Sequence, residues 1–209
     1  LKFRITNYKL NFYIEPFTFS SNMTENHYLD NQFIVAMPTL TDNNFSHAAI
    51  YLCQHNAEGA LGIVINRKSD MKLKEIFMQM DIPITSMTAA DAPVYVGGPV
   101  QQERGFVLHT TGGKWAISLP ISETMSLTTS RDIIEAIAKG EGPERYFVAL
   151  GYAGWSKGQL EQEMLSNSWL NTPFGAPILF DTPIDLRWSM AASQIGIDIN
   201  QLTVGAGHA

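Results

Sequence analysis

Residues 146–163, YFVALGYAGWSKGQLEQE, constrain the fold of this chain more than any other stretch, because the apolar pattern changes from strand to helix across closely spaced glycines. Tyr146 to Leu150 is a short run of β-formers between Pro143 and Gly151, too short for a helix, and predicts a buried strand. The chain then turns. Ser156 with Gln159 three residues on has the S-x-x-Q form of a capping box, and Leu160 and Met164 supply the apolar face of the helix that it would open.

The other elements sort around this junction. FIVAMP from Phe33 predicts a strand stopped by Pro38. Ala48 to His55 predicts another, with Tyr51, Cys53 and His55 on one face by period 2, and a turn at Asn56 to Gly59 returns it to Ala60 to Asn66 as a hairpin. Leu73, Ile76, Phe77 and Met80 lie on one helical face ahead of Pro83. Pro93 to Gly97, Phe106 to Thr110 and Lys114 to Leu119 read as strands. A helix from Arg131 to Lys139 has Ser130 at its N-cap and Gly140 beyond its end. Ala176 to Phe180 reads as a strand, and a helix from Leu186 to Ile195 is expected with Asp185 as its cap. Strands outnumber helices and often come in adjacent pairs, so a mixed sheet of the α+β type is expected over a doubly wound one.

Composition limits the function classes. The 209 residues are 45% hydrophobic and carry a net charge of −6. Lys2, Arg4, Lys9 and Glu15 give residues 1–22 a balance of +2, so the rest carries −8. A body that acidic disfavours direct nucleic-acid binding. A single cysteine, Cys53, forms no internal disulfide and suits a reducing compartment, while no run approaches 18 apolar residues, so the expectation is a cytoplasmic protein off the membrane. Residues 1–22 alternate aromatic and polar positions ahead of Met23. They read as an extension upstream of the native start, able to add a strand to a free edge or drive self-association. Residues 1–31 are thus an extension and lead-in, and 32–209 a single domain.

Several groups could carry chemistry. Gly154-Trp155-Ser156-Lys157-Gly158 matches G-x-S-x-G, with Asp185 or Asp198 and then His208 following in hydrolase order, but the capping role also accounts for Ser156. Cys53 beside His55 could be a redox-active thiolate or a small buried hydrophobe. His47, His55, His109 and Cys53 have no zinc-motif spacing, and no metal or cofactor is expected. Gly97, Gly98, Arg104, Gly105 and His109 frame a loop that exposes Gln101, Gln102 and Glu103, either as a recognition site or as an ordinary connection. Trp155, Gln159 and Glu163 could form a partner surface with the tryptophan as anchor, or the outer side of a helix whose tryptophan is core.

MPTLTDNNF at Met37, YLCQHNAEGALGIVINR at Tyr51, VGGPVQQERGFVLH at Val96, GYAGWSKGQLEQE at Gly151 and the spaced residues from Trp188 to Ala209 resemble, in order, the motifs of the YqgE/AlgH family of bacterial proteins. The resemblance covers Gln32 to the end. Lys68 departs from it, standing where the family usually has proline. It implies one domain with a mixed, partly open barrel-like sheet surrounded by α-helices. It brings a proposed role in gene regulation, with no established enzyme activity, cofactor or DNA-binding motif. Cys53, Arg67, Gly97, Gly98, Arg104, Gly105, His109, Trp155, Gln159 and Glu161 fall on family motif positions, whereas Ser156 falls on a position that the motif leaves open. The expectation is a regulatory or interaction protein acting on an unknown protein or small ligand, the alternative being a hydrolase or thiol-dependent enzyme at Ser156 or Cys53.

Overall fold

The computed structural model describes residues 28–202; the expectations for the N-terminal extension and for His208 lie outside the described residues. In chain order the strands are β1 (Gln32–Ala36), β2 (Ala49–Asn56), β3 (Gly59–Val64), β4 (Lys68–Lys72), β5 (Pro93–Val96), β6 (Val100–Thr110), β7 (Ser118–Pro120), β8 (Met125–Thr128), β9 (Tyr146–Ser156) and β10 (Trp169–Pro173). The helices are α1 (Leu73–Gln79), α2 (Met87–Ala90), α3 (Arg131–Lys139), α4 (Gln159–Leu165), α5 (Ala176–Phe180) and α6 (Arg187–Ser193). The described chain packs as two compact units. A discontinuous unit holds Leu29–Arg67 and the chain from Ala153, and a continuous unit holds Lys68–Tyr152.

In the discontinuous unit the strand order is β10-β1-β2-β3-β9, antiparallel throughout. Both faces of β1 and β2 are covered, which is why their sequences read as unbroken apolar runs. Ile34, Ile50 and Leu52 pack with Trp155, Leu160 and Trp169 on one face. On the other, the rings of Phe33 and Tyr51 lie 5.7 Å apart, and Phe174 stands 4.6 Å from Tyr51. Gly62 is required here, because a Cβ would come within 2.5 Å of the Ile50 side chain.

In the continuous unit β4-β5-β9 and β9-β6-β8-β7 pair in series, with β5 parallel to β9 and the remaining pairs antiparallel. The α+β class with a mixed sheet is therefore the one observed. Leu73, Ile76 and Phe77 of α1 and Ile133, Ile134 and Ile137 of α3 bury against Val107, Val148 and Leu150. The Ser130 N-cap position and the Gly140 terminus of α3 are as expected, Gly140 adopting φ +80°.

Six expectations are corrected. β9 does not end at Leu150: Gly154, Trp155 and Ser156 remain extended and pair with Leu61, Ala60 and Gly59, so α4 opens only at Gln159, with Gly158 (φ +73°) at its N-cap. Ser156 is thus a strand end, not a helix cap. Residues 176–180 form α5 rather than a strand, since Pro177 in the first turn is pre-shaped for a helix and leaves no amide unpaired there. α6 is preceded by a 3-10 turn at Ile184–Leu186, which displaces Asp185 from the cap. Of the expected strand 114–119 only Ser118 and Leu119 pair with a neighbour, as part of β7, and residues 100–104 belong to β6 rather than to a loop.

Candidate functional site

The helix following β9 is tied back to the sheet by one carboxylate. Glu163 Oε2 accepts the indole N–H of Trp155 and that of Trp169, each at 2.8 Å, and Oε1 accepts the amide N–H of Gln159 at 2.9 Å. Gln159 Oε1 in turn accepts the backbone N–H and the hydroxyl of Ser156 at 3.0 and 3.1 Å. The indoles meet edge-on at 5.9 Å, with Phe45 against both. Trp155 is only 6% exposed, so the reading of this residue as a partner anchor is corrected: it is core, and its polar edge is already used. Gln159 and Glu161 remain at the surface. The hydroxyl of Ser156 bonds Gln159 and, among the described residues, no histidine, while His208, the base of the hydrolase order, lies outside them.

Cys53 is the extra residue of a β-bulge, since Leu52 pairs with Gly62 and Gln54 with Leu61. The bulge shifts the alternation. His55 faces Ala60 and Leu52 faces Gly62, two residues on, so His55 lies on the Leu52 face and the expected shared face of Tyr51, Cys53 and His55 does not form. His55 Nδ1 accepts the Leu29 N–H at 3.0 Å and Nε2 lies 3.0 Å from Glu161 Oε1, an arrangement that fixes the Nε2–H tautomer. The Cys53 thiol is buried and donates to the Tyr51 carbonyl at 3.5 Å, and burial pushes its pKa well above the ordinary thiol value. A thiol held in that state is a poor nucleophile. Arg67 donates to the carbonyls of Asn43 and Ser46 and so braces the loop ahead of β2. Among the described residues no group of His, Cys, Asp or Glu is gathered that could hold a metal ion.

In the continuous unit the glycines and Arg104 build one feature. The register between β6 and β9 runs from Val100 opposite Tyr152 to Gly105 opposite Leu150, so β6 carries extra residues that project as a wide bulge. Gln101, Gln102 and Glu103 are exposed there, and Gln101 adopts φ +48°, an uncommon conformation for a residue with a side chain. The bulge fits only because the sheet beneath it lacks side chains. A Cβ on Gly151 (φ +73°) would meet the carbonyl oxygens of Gly98 at 2.5 Å and Val100 at 3.0 Å, and one on Gly97 would meet that of Gly151 at 2.3 Å.

Arg104 closes the bulge. Its Nη1 donates to Gln101 Oε1 at 2.6 Å and its guanidinium stands 5.5 Å over the Phe106 ring, which itself lies 5.5 Å from Tyr152. Nε is sealed from solvent and, among the described residues, has no hydrogen-bond partner. A buried N–H left unpaired costs about 1–3 kcal/mol. Burial lowers the pKa of the guanidinium from its ordinary value, with Tyr152 and Glu103 acting in the opposite sense. Gly105 is buried beneath it.

His109 is a core histidine instead of a surface recognition group. Its Nδ1 donates to the Thr110 carbonyl at 2.8 Å and Nε2 lies 2.8 Å from Thr128 Oγ1, itself 2.8 Å from Ser118 Oγ. Burial lowers its pKa, favouring the neutral ring. Trp169, Thr128, Tyr152 and Gly151 complete these groups and were not singled out from the sequence; only the glycine spacing around residue 151 hinted at a close backbone approach.

A family model described as AlgH-like (DUF179) matches residues 33–200. The UPF0301 protein of Thioalkalivibrio sulfidiphilus is 52% identical over 192 residues, covering 92% of this chain and 100% of its own length. That of Methylococcus capsulatus is 51% identical over 185 residues, covering 88% and 98%. Among solved structures, the solution structure of the AlgH protein from Pseudomonas aeruginosa is similar with a TM-score of 0.73 at 42% identity, over 90% of this chain and 100% of that one. A crystal structure of a protein from Corynebacterium diphtheriae, 18% identical with a TM-score of 0.66 over 88% and 95% of the two chains, shares the fold.

Proposed function

Because the chain belongs to the AlgH-like family, we propose that it is a regulatory or interaction protein, with residues 32–209 working as one domain and the β6 bulge around Gln101–Arg104 as its contact surface. The carrying observation is the bulge itself: a non-glycine residue at φ +48° over a glycine that tolerates no side chain is strain spent to hold polar groups outward. Among the described residues no helix is long and apolar enough to cross a membrane, and the proposed place of action is the cytoplasm. The acidic balance makes any effect on gene expression indirect, through a protein or small ligand. The alternative enzyme reading loses support, with Ser156 bonded to Gln159 and Cys53 buried with a raised pKa.

The test is a pull-down from native bacterial cytoplasm with the wild-type chain, Arg104→Ala, and Gln162→Ala as an exposed control on α4. A specific partner lost with Arg104→Ala and kept with Gln162→Ala supports the reading. A partner retained by both variants places the contact elsewhere.

A further inference from the structure

Resting on that reading, we propose that Arg104 is the recognition residue of the β6 bulge and that it takes a carboxylate from a peptide segment of the partner, a single Asp or Glu side chain among uncharged or basic neighbours. Gln101 occupies Nη1, while Nε has no acceptor. The edge formed by Nε and Nη2 is the one that matches a carboxylate in bidentate fashion. The guanidinium plane is held over Phe106, so that edge is oriented before the ligand arrives. Nε is sealed from solvent, so the proposed binding includes a movement of the exposed bulge residues 101–103 as the ligand enters.

The electrostatic surroundings select the ligand. Among the described residues Arg104 has no carboxylate partner, the lysine and arginine ion pairs being Lys72 with Asp91 and Arg131 with Glu135. Glu103 sits beside it on the exposed bulge, and the chain as a whole carries −6. One guanidinium in that field suits one carboxylate flanked by neutral or cationic residues, and repels polyanions such as a nucleic-acid backbone. The exposed amides of Gln101 and Gln102 can both donate and accept, as contact with a peptide backbone requires.

The experiment follows the Arg104 Nε–H resonance by NMR in the full chain. The probe is a terminally blocked peptide with one glutamate between lysines and glycines, compared with its glutamine counterpart, with free glutarate and with inorganic phosphate. The expected result is a saturable shift of the Nε–H signal with the glutamate peptide, weakened roughly tenfold or more by the glutamine replacement. In Arg104→Lys, which keeps the charge and removes the planar edge, shifts of neighbouring backbone amides should weaken likewise while the rest of the spectrum is unchanged. No shift up to about 10 mM peptide, far weaker than a usable contact, overturns the proposal, as does equal binding of the glutamine peptide. An equal response to phosphate reduces the site to a general anion contact and overturns the carboxylate assignment. Saturation by glutarate without response to the peptide overturns the peptide assignment. If the pull-down partner is lost in Arg104→Ala yet the peptide is silent, the interaction reading stands and the carboxylate chemistry falls.

Discussion

The indole N–H of Trp155 and the Glu163 carboxylate, 2.8 Å apart, connect the end of strand β9 to helix α4, and the same oxygen takes the indole N–H of Trp169. Removing that oxygen leaves two buried indoles unpaired. Glu163→Ala is therefore expected to lower unfolding stability by about 2–4 kcal/mol, and Glu163→Gln, which retains one acceptor, by less. Urea unfolding followed by tryptophan fluorescence measures both; a loss for the alanine variant no larger than that of Gln162→Ala would show that the indoles do not depend on this carboxylate.

Gly151 and Gly158 share φ +73° but differ in surroundings, since a Cβ on Gly151 meets backbone oxygens and one on Gly158 meets nothing within 4 Å. Gly158→Ala should cost about 1–2 kcal/mol from the backbone conformation alone. Gly151→Ala adds steric displacement of the bulge and should exceed it, with disturbed amide resonances at Gly98 to Gln102. Equal losses for the two variants would mean that the bulge yields without cost.

These residues also show what could be read from the chain. β1 and β2 were legible because burial on both faces leaves an unbroken apolar run, α1 because its periodicity is helical, and α3 because Ser130 and Gly140 bracket it. The bulge at Cys53 was not, since register is set by pairing with β3 and leaves no local mark. β4, KSDMK, is a strand that turns only alternate residues inward, with Ser69 bonded to the Val94 carbonyl, so hydrophobicity concealed it. Trp155, Glu163, Arg104, Gly97, Gly98 and Gly105 were all singled out. Their relationships were not: that Trp155 is core and Arg104 lies over Phe106 depends on partners distant in sequence or on strand curvature.

Burial raises the pKa of both Cys53 and Tyr51. In the unfolded chain these groups ionise near about 8.5 and 10, and the folded chain holds them protonated beyond that. Their stabilising contribution is complete below those values and is lost as pH rises above them, at up to about 1.4 kcal/mol per pH unit for each group. Stability measured by urea titration between pH 8 and 10.5 should fall accordingly, with the first part absent in Cys53→Ala. The native thiol should also react with iodoacetamide only at the rate of unfolding. Rapid labelling at pH 8 would contradict its burial and restore the thiol-dependent alternative.

His109 supplies the opposite limb. Burial depresses its folded pKa, outweighing the hydrogen bond to the Thr110 carbonyl, which favours the charged ring. The unfolded histidine takes up that proton near about 6.5, the folded one only at lower pH. The contribution is therefore present above the unfolded value and lost as pH falls through the folded one. Unfolding stability of the wild-type chain should decline between pH 7 and 5 more steeply than that of His109→Gln, whose amide can still donate to the Thr110 carbonyl. Thr128→Val should leave the slope in place while lowering stability at every pH, because it removes a hydrogen bond and not the titrating group. Parallel acid limbs for wild type and His109→Gln would show that His109 titrates in the folded state as it does in the unfolded chain.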